Sequence, residues 1–208
     1  GQLGTGQTHQ RCNYASDCSQ VAVQVVGLGK AVSVGVGCSY ACAVLADGTV
    51  WCWGDNSGGR LGRPEAQLTH SNRPVAVPAL AGVANLGVGC SHACAAKSDG
   101  TVVCWGESTY HKLGSVHEAR GIQTYVSTPT AVAGLQAVSA VAVWSSHTCA
   151  LKTDGTGWCW GDNQYGQLGV ATTTQGCLHA GSSCSSAPVQ VPGLAQVKVI
   201  DSGSRHTC

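Results

Sequence analysis

HTCALKTDGTGWCWGDNQYGQLG occupies residues 147–169, and its central part recurs upstream as CAVLADGTVWCWGDN at 42–56 and CAAKSDGTVVCWGES at 94–108. One motif used three times marks a repeat chain, so periodicity is read before any single element. A fourth copy opens with Arg205-His206-Thr207-Cys208, in the register of Ser146-His147-Thr148-Cys149. A second marker, Leu-Gly at Leu3, Leu61, Leu113 and Leu168, recurs at spacings of 58, 52 and 55 residues. These markers divide the 208 residues into repeats at 1–58, 59–110 and 111–165 and an incomplete repeat at 166–208.

Apolar runs of four to six residues alternate with clusters of Gly, Pro, Asn, Asp and Ser, the pattern of many short strands. Four strands per repeat are expected, in the first copy near 21–26, 31–36, 41–45 and 49–53. The first of these carries Pro in later copies, at Pro74 and Pro78, Pro129, Pro188 and Pro192. A residue without an N–H belongs on a sheet edge, so this strand is expected at the outer edge. In Val50-Trp51-Cys52-Trp53 both alternating faces are apolar, which requires cover on two sides.

The last two strands meet across Ala46-Asp47-Gly48, Ser98-Asp99-Gly100 and Thr153-Asp154-Gly155, each a three-residue hairpin loop with Gly in the left-handed position. Counting outward sets Val44 opposite Val50, Ala43 opposite Trp51 and Cys42 opposite Cys52. The same register pairs Cys94 with Cys104 and Cys149 with Cys159, at the separation a disulfide needs. Two loop pairs are expected as well, Cys12 with Cys18 and Cys177 with Cys184. Cys38 and Cys90 share one register in adjacent copies and are expected to bond across them, where later copies have Ser145 and Ser204.

Thirteen cysteines with no C-x-x-C pair argue for oxidised thiols outside the cytosol, hence a secreted or cell-surface protein. Eleven Lys and Arg against ten Asp and Glu, without any basic run, argue against nucleic acid as a partner. No apolar run reaches the roughly 18 residues of a membrane-spanning helix, so no membrane insertion is expected.

The stretches DGTVWCWGDN (47–56), DGTVVCWGES (99–108), HTCALKTDGTGWCWGDNQYGQLG (147–169) and SRHTC (204–208) together resemble the regulator of chromosome condensation repeat family, over essentially the whole chain. The resemblance implies an all-β fold of four-stranded antiparallel β-propeller blades, about 55 residues each, here as an incomplete ring or a segment of a longer array. Functions implied by that family range from guanine-nucleotide exchange on a nuclear GTPase to extracellular binding and inhibition of a β-lactamase. The cysteine load and the lack of a basic face depart from the nuclear exchange factor, and resemble bacterial secreted or surface versions of the repeat.

His92, His147 and His206 share one register, with Tyr40 in the first copy, which reads as a packed strand position rather than a metal site. Asp55-Asn56 and Asp162-Asn163 offer too few oxygens for calcium and read as turn caps, as Asp47, Asp99 and Asp154 do beside their Gly. With no nucleophile elbow, metal motif or phosphate-cradling loop, no enzymatic activity and no cofactor are expected. The most variable segments follow Leu-Gly, at 5–20, 63–73, 115–128 and 170–187, and loops on a rigid scaffold carry binding. Tyr14, His70, His117, Tyr125 and His179 are the contact candidates there.

The expected function is therefore an extracellular interaction module presenting loops to a protein or glycan partner. The alternatives are a structural subunit of an extracellular fibre or surface layer, which entails self-association, and a disfavoured nucleotide exchange factor. Gly1-Gln2-Leu3-Gly4 matches Gly166-Gln167-Leu168-Gly169 and the chain ends at the matching Cys208, so a further 16 residues, or a neighbouring chain, are expected to complete the last blade and pair Cys208.

Overall fold

A computed structural model describes residues 1–6, 18–114, 124–171, 174–175 and 183–208. Three antiparallel sheets follow one another along the chain. The first contains β1 (Ala31–Val36), β2 (Tyr40–Leu45), β3 (Val50–Asp55) and β4 (His70–Ala76), in that spatial order. The second contains β5 (Val83–Val88), β6 (His92–Lys97), β7 (Val102–Glu107) and β8 (Tyr125–Ala131). The third contains β9 (Val138–Val143), β10 (His147–Lys152) and β11 (Gly157–Asp162), then β13 (Cys184–Gln190), which also takes a short parallel pairing from β12 (Thr174–Gln175). They stack as consecutive blades of a β-propeller segment.

The Asp-Gly loops fix the hairpin register. Asp47 Oδ1 accepts from the Thr49 amide at 3.0 Å and from its hydroxyl at 2.7 Å, and Asp99 and Asp154 repeat both contacts with Thr101 and Thr156. Val44 then pairs with Val50, Ala43 with Trp51 and Cys42 with Cys52, and the same count joins Cys94 to Cys104 and Cys149 to Cys159. All three cysteine pairs are disulfide-bonded, with Cα atoms 4.0, 4.1 and 4.1 Å apart.

The strand carrying proline lies outermost in the first two sheets and is flanked on its outer side only by the short β12 in the third, but it belongs to the sheet before it. Pro74, Pro129 and Pro188 sit in β4, β8 and β13, each paired with the third strand of the preceding hairpin. Residues 21–26, expected as the first strand, form none, because no third strand of an earlier sheet stands beside them among the described residues. The repeat boundaries at 58/59 and 110/111 fall in the 3₁₀ turns Ser57–Gly59 and Thr109–His111, between the third and fourth strands of a sheet.

Between blades the packing is apolar and indole-centred. Tyr40, Val44, Val50 and Leu61 of the first blade share one cluster with Val83, Val88, Ala93 and Trp105 of the second. Leu113 and Val102 meet Val138, Val141 and Trp160 in the same way at the next junction. Trp105 and Trp160 are fully buried, each contributing on the order of 3 kcal/mol of apolar burial. Their indole N–H groups donate to Arg60 O at 3.0 Å and Lys112 O at 2.9 Å, and Trp53 donates to Gln2 O at 2.8 Å. The Leu-Gly marker is explained by this contact: Gly114 has φ +65°, and a Cβ there would sit 2.9 Å from the Trp160 indole nitrogen.

Residues 201–208 begin another hairpin turn. Gly203 N–H donates to His206 O at 2.9 Å, as Gly37 does to Tyr40 O at 2.8 Å and Gly89 to His92 O at 2.9 Å.

Candidate functional site

Antiparallel order places the β1–β2 turn and the β3–β4 connection of a blade at one end, and the Asp-Gly loop at the other. The turns 37–39, 89–91 and 144–146 therefore share a face with the 3₁₀ turns Ser57–Gly59 and Thr109–His111. Successive turns touch closely. A Cβ on Gly37 would strike Gly89 O and one on Gly89 would strike Trp144 O, while the Cys90 amide donates to Trp144 O at 2.9 Å. Cys38 and Cys90 are disulfide-bonded across the first two blades, with a Cα separation of 4.6 Å.

Arg60 and Lys112 on this face are each paired with a carboxylate of their own blade. Arg60 meets Asp55 at 3.1 Å and donates to Ser39 Oγ at 2.9 Å. Lys112, buried, meets Glu107 at 3.1 Å and donates to Ser91 Oγ at 2.9 Å and to Ser145 O at 3.3 Å. In the third blade Gln167 replaces the cation and donates to Asp162 Oδ2 at 2.8 Å. Asn56 and Asn163 accept from the amides of Leu61 at 2.8 Å and Leu168 at 3.0 Å, and donate to Arg63 O and Val170 O, so both amides brace the turn leading to Leu-Gly. Among the described residues no three His, Cys, Asp or Glu converge as metal ligands.

The Tyr/His register bridges blades. Tyr40 donates its hydroxyl to His92 O at 2.8 Å, His92 Nε2 meets Thr148 Oγ1 at 2.9 Å, and His147 Nε2 meets Thr207 Oγ1 at 2.9 Å. Thr148 donates to Lys112 O at 2.8 Å and Thr207 to Gln167 O at 3.0 Å, so each histidine carries its proton on Nε2 and donates it. Nδ1 of both is buried without a partner among the described residues. Burial, reinforced by nearby Lys112, holds the His92 imidazole well below its ordinary range. Burial also pushes His147 down to about 4, against the opposing pull of Asp162. Desolvation drives the Tyr40 phenol upward, partly offset by Arg60. These are neutral, structural groups at neutral pH.

Four large aromatic side chains on this face remain open to solvent. Tyr110, Tyr125, Trp144 and Tyr165 are 41, 49, 38 and 54% exposed. Tyr110 and His111 take φ of +63° and +59°, in the places held by Gly58 and Gly59 in the first blade. Two successive left-handed non-glycine residues are strained backbone, and such strain concentrates where side chains have work to do. The Arg205 guanidinium lies 4.4 Å over the Tyr165 ring.

Of the contact candidates read from sequence, His70 opens β4 opposite Asp55 and is exposed, and Tyr125 opens β8 opposite Glu107 with its ring against Gly58. Tyr14, His117 and His179 lie outside the described residues, as do Cys12 and Cys177. Cys18 and Cys184 are themselves disulfide-bonded. Cys208 is exposed and carries a free thiol. Sequence reasoning passed over Tyr110, Trp144 and Tyr165, although each departs from glycine or joins an aromatic in a shared register: Tyr110 and Tyr165 stand where Gly58 does, and Trp144 stands where Gly37 and Gly89 do.

Two models of the regulator of chromosome condensation (RCC1) repeat match the chain, one at 47–96, 99–151 and 154–208 and a shorter one at 31–60, 83–112 and 138–167. The chain belongs to the RCC1-repeat family. It is 35% identical to the human E3 ubiquitin-protein ligase HERC2 over 146 residues, covering 68% of this RCC1-repeat chain and 3% of HERC2. It is 27% identical to the Arabidopsis thaliana ultraviolet-B receptor UVR8 over 183 residues, 86% of this chain and 38% of UVR8. The chain thus spans less than two-fifths of the length of these relatives. Among solved structures, Saccharomyces cerevisiae Prp20p superposes with a TM-score of 0.76 at 20% identity, covering 96% of this chain and 49% of Prp20p. Human WBSCR16 superposes with a TM-score of 0.75 at 20% identity, covering 97% of this chain and 50% of that one. The RCC1-repeat propeller is a protein-interaction fold.

Proposed function

We propose that this RCC1-repeat chain is an extracytoplasmic interaction module, secreted or held at the cell surface, which binds a protein partner through the face carrying the β1–β2 and 3₁₀ turns. The observation that carries this reading is the division of labour on that face. Its carboxylates Asp55, Glu107 and Asp162 are engaged by Arg60, Lys112 and Gln167 of the same blade, while Tyr110, Trp144 and Tyr165 remain exposed. Exposed Trp and Tyr on a rigid frame are the residue types that dominate binding energy at protein interfaces.

The chain binds rather than catalyses. The buried imidazoles of His92 and His147 each donate to a threonine of the next blade and are held neutral. The extracytoplasmic placement rests on the disulfides, which would not persist in a reducing cytosol.

Fractionation of the source cells, with non-reducing peptide mapping, tests the placement; recovery from the cytosol with free repeat cysteines would contradict it. Trp144→Glu and Tyr165→Glu test the face. Each is expected to abolish recovery of the partner while leaving the folded chain intact, and Lys97→Glu on the opposite face is expected to leave recovery unchanged. Partner recovery that survives enzymatic removal of protein but not of glycan would replace a protein partner with a carbohydrate one.

A further inference from the structure

The four fully described disulfides are of two kinds. Three close hairpins, at a sequence separation of 10, and their six cysteines are at most 2% exposed. The fourth, Cys38–Cys90, has a sequence separation of 52 and joins two turns at the face described above, with Cys38 exposed and Cys90 half-buried. Exchange begins with a thiolate reaching a sulfur, so access decides which bond reacts.

The inter-blade bond is also the one the stacking does without elsewhere. Ser145 stands in its register at the second junction, where the turns are held by the Cys90 amide donating to Trp144 O at 2.9 Å. At the first junction, Tyr40 to His92 O at 2.8 Å, Trp105 to Arg60 O at 3.0 Å and the shared apolar cluster all persist if the disulfide opens. What opening would change is local. The turn 37–39 sits so close to 89–91 that Gly37 has no room for a Cβ, and Ser39 in it braces both the Asp55 amide and the Arg60 guanidinium.

We propose that Cys38–Cys90 is a thiol–disulfide exchange site, opened by a dithiol reductant while the buried hairpin disulfides stay closed, and that its opening releases the first-blade turn from the second. One thiolate of the dithiol attacks Sγ of Cys38, and the electron pair of the S–S bond leaves on Sγ of Cys90, which takes a proton from water. The second thiol of the reductant, deprotonated, attacks the mixed disulfide and expels the Cys38 thiolate, which is protonated in turn. The reductant ends as its own disulfide, and two electrons and two protons have moved to the protein. The site goes beyond the interaction reading and does not depend on any partner.

The test titrates the folded 208-residue chain with reduced dithiothreitol at neutral pH, traps new thiols with iodoacetamide, and maps the label on the eight cysteines of these four pairs. Cys38 and Cys90 are expected to label at a dithiol concentration at least about tenfold below that needed for Cys42, Cys52, Cys94, Cys104, Cys149 and Cys159. Hydrogen exchange is expected to quicken more at the amides of 37–39 than at those of the β2–β3 hairpin on reduction, and equally in C38S/C90S. Coincident reduction of all four pairs, exchange at 37–39 that quickens no more than in the β2–β3 hairpin, or failure of C38S/C90S to fold would overturn the proposal.

Discussion

Trp105 of the second blade donates its indole N–H to the carbonyl of Arg60 in the first at 3.0 Å, and its ring is fully buried where the two sheets meet. The same donation recurs from Trp53 to Gln2 and from Trp160 to Lys112, always to the residue before Leu-Gly. The sequence period is therefore a packing period, in which each blade plugs its indole into the last turn of the one before. Trp105→Ala leaves a cavity and an unsatisfied carbonyl and is expected to cost about 3–5 kcal/mol in urea unfolding. Trp51→Ala, from a half-buried indole bonded only to Thr49, is expected to cost clearly less.

Gly114 and Gly134 separate steric from conformational cost. Both have positive φ, +65° and +78°, but a Cβ at Gly114 meets Val132 at 2.8 Å and Trp160 at 2.9 Å, whereas nothing lies within 4 Å at Gly134. Gly134→Ala is expected to cost about 1 kcal/mol, and Gly114→Ala at least about twice that, by equilibrium unfolding.

The fold was legible from spacing because the hairpin count is local: an Asp-Gly loop of fixed length sets every pair from Val44–Val50 to Cys42–Cys52. The allocation of the proline strand was not legible. Strand order in a sheet depends on a long connection, and nothing within β4 states whether it joins the hairpin before it or the one after. The aromatic face was missed for a related reason. Tyr110 and Trp144 lie in turns that look like simple glycine replacements until the topology brings those turns to one end.

His147 gives a pH dependence with a definite sign. Its folded imidazole is pushed down to about 4 from an ordinary 6.5, so above pH 6.5 both folded and unfolded forms are neutral and no effect arises. As pH falls from 6.5 towards 4 the unfolded chain binds the proton and the folded chain does not, so stability falls, by on the order of 3 kcal/mol at the bottom of that window. His92, also depressed, adds in the same direction. His147→Gln is expected to flatten the slope of urea midpoint against pH between 6.5 and 4; an unchanged slope would show that His147 is not the titrating group.

The two kinds of disulfide should differ in stability as well as access. Loop-closure entropy predicts about 3 kcal/mol for a hairpin pair separated by ten residues and about 4 kcal/mol for Cys38–Cys90, separated by 52. Denaturant unfolding of C94A/C104A and C38S/C90S is expected to rank them in that order; the reverse ranking would mean that the folded state strains the inter-blade bond.

Tyr110 sets stability against binding. Its φ of +63° is one that glycine adopts freely, and Gly58 occupies the register in the first blade, so Tyr110→Gly is expected to stabilise the chain by about 0.5–1 kcal/mol while weakening partner binding. A variant that gains stability and keeps full binding would assign the strain no role on this face.

The most direct test of the interaction face is site-specific photo-crosslinking in the native setting. A photoreactive phenylalanine is placed at Tyr110, Trp144 or Tyr165 on the turn face, and at Asp47, Asp99 or Asp154 in the opposite hairpin loops. Adducts to one discrete partner from the turn-face positions, with none from the hairpin loops, are the predicted result. Adducts from the hairpin loops with none from Tyr110, Trp144 and Tyr165 would contradict it.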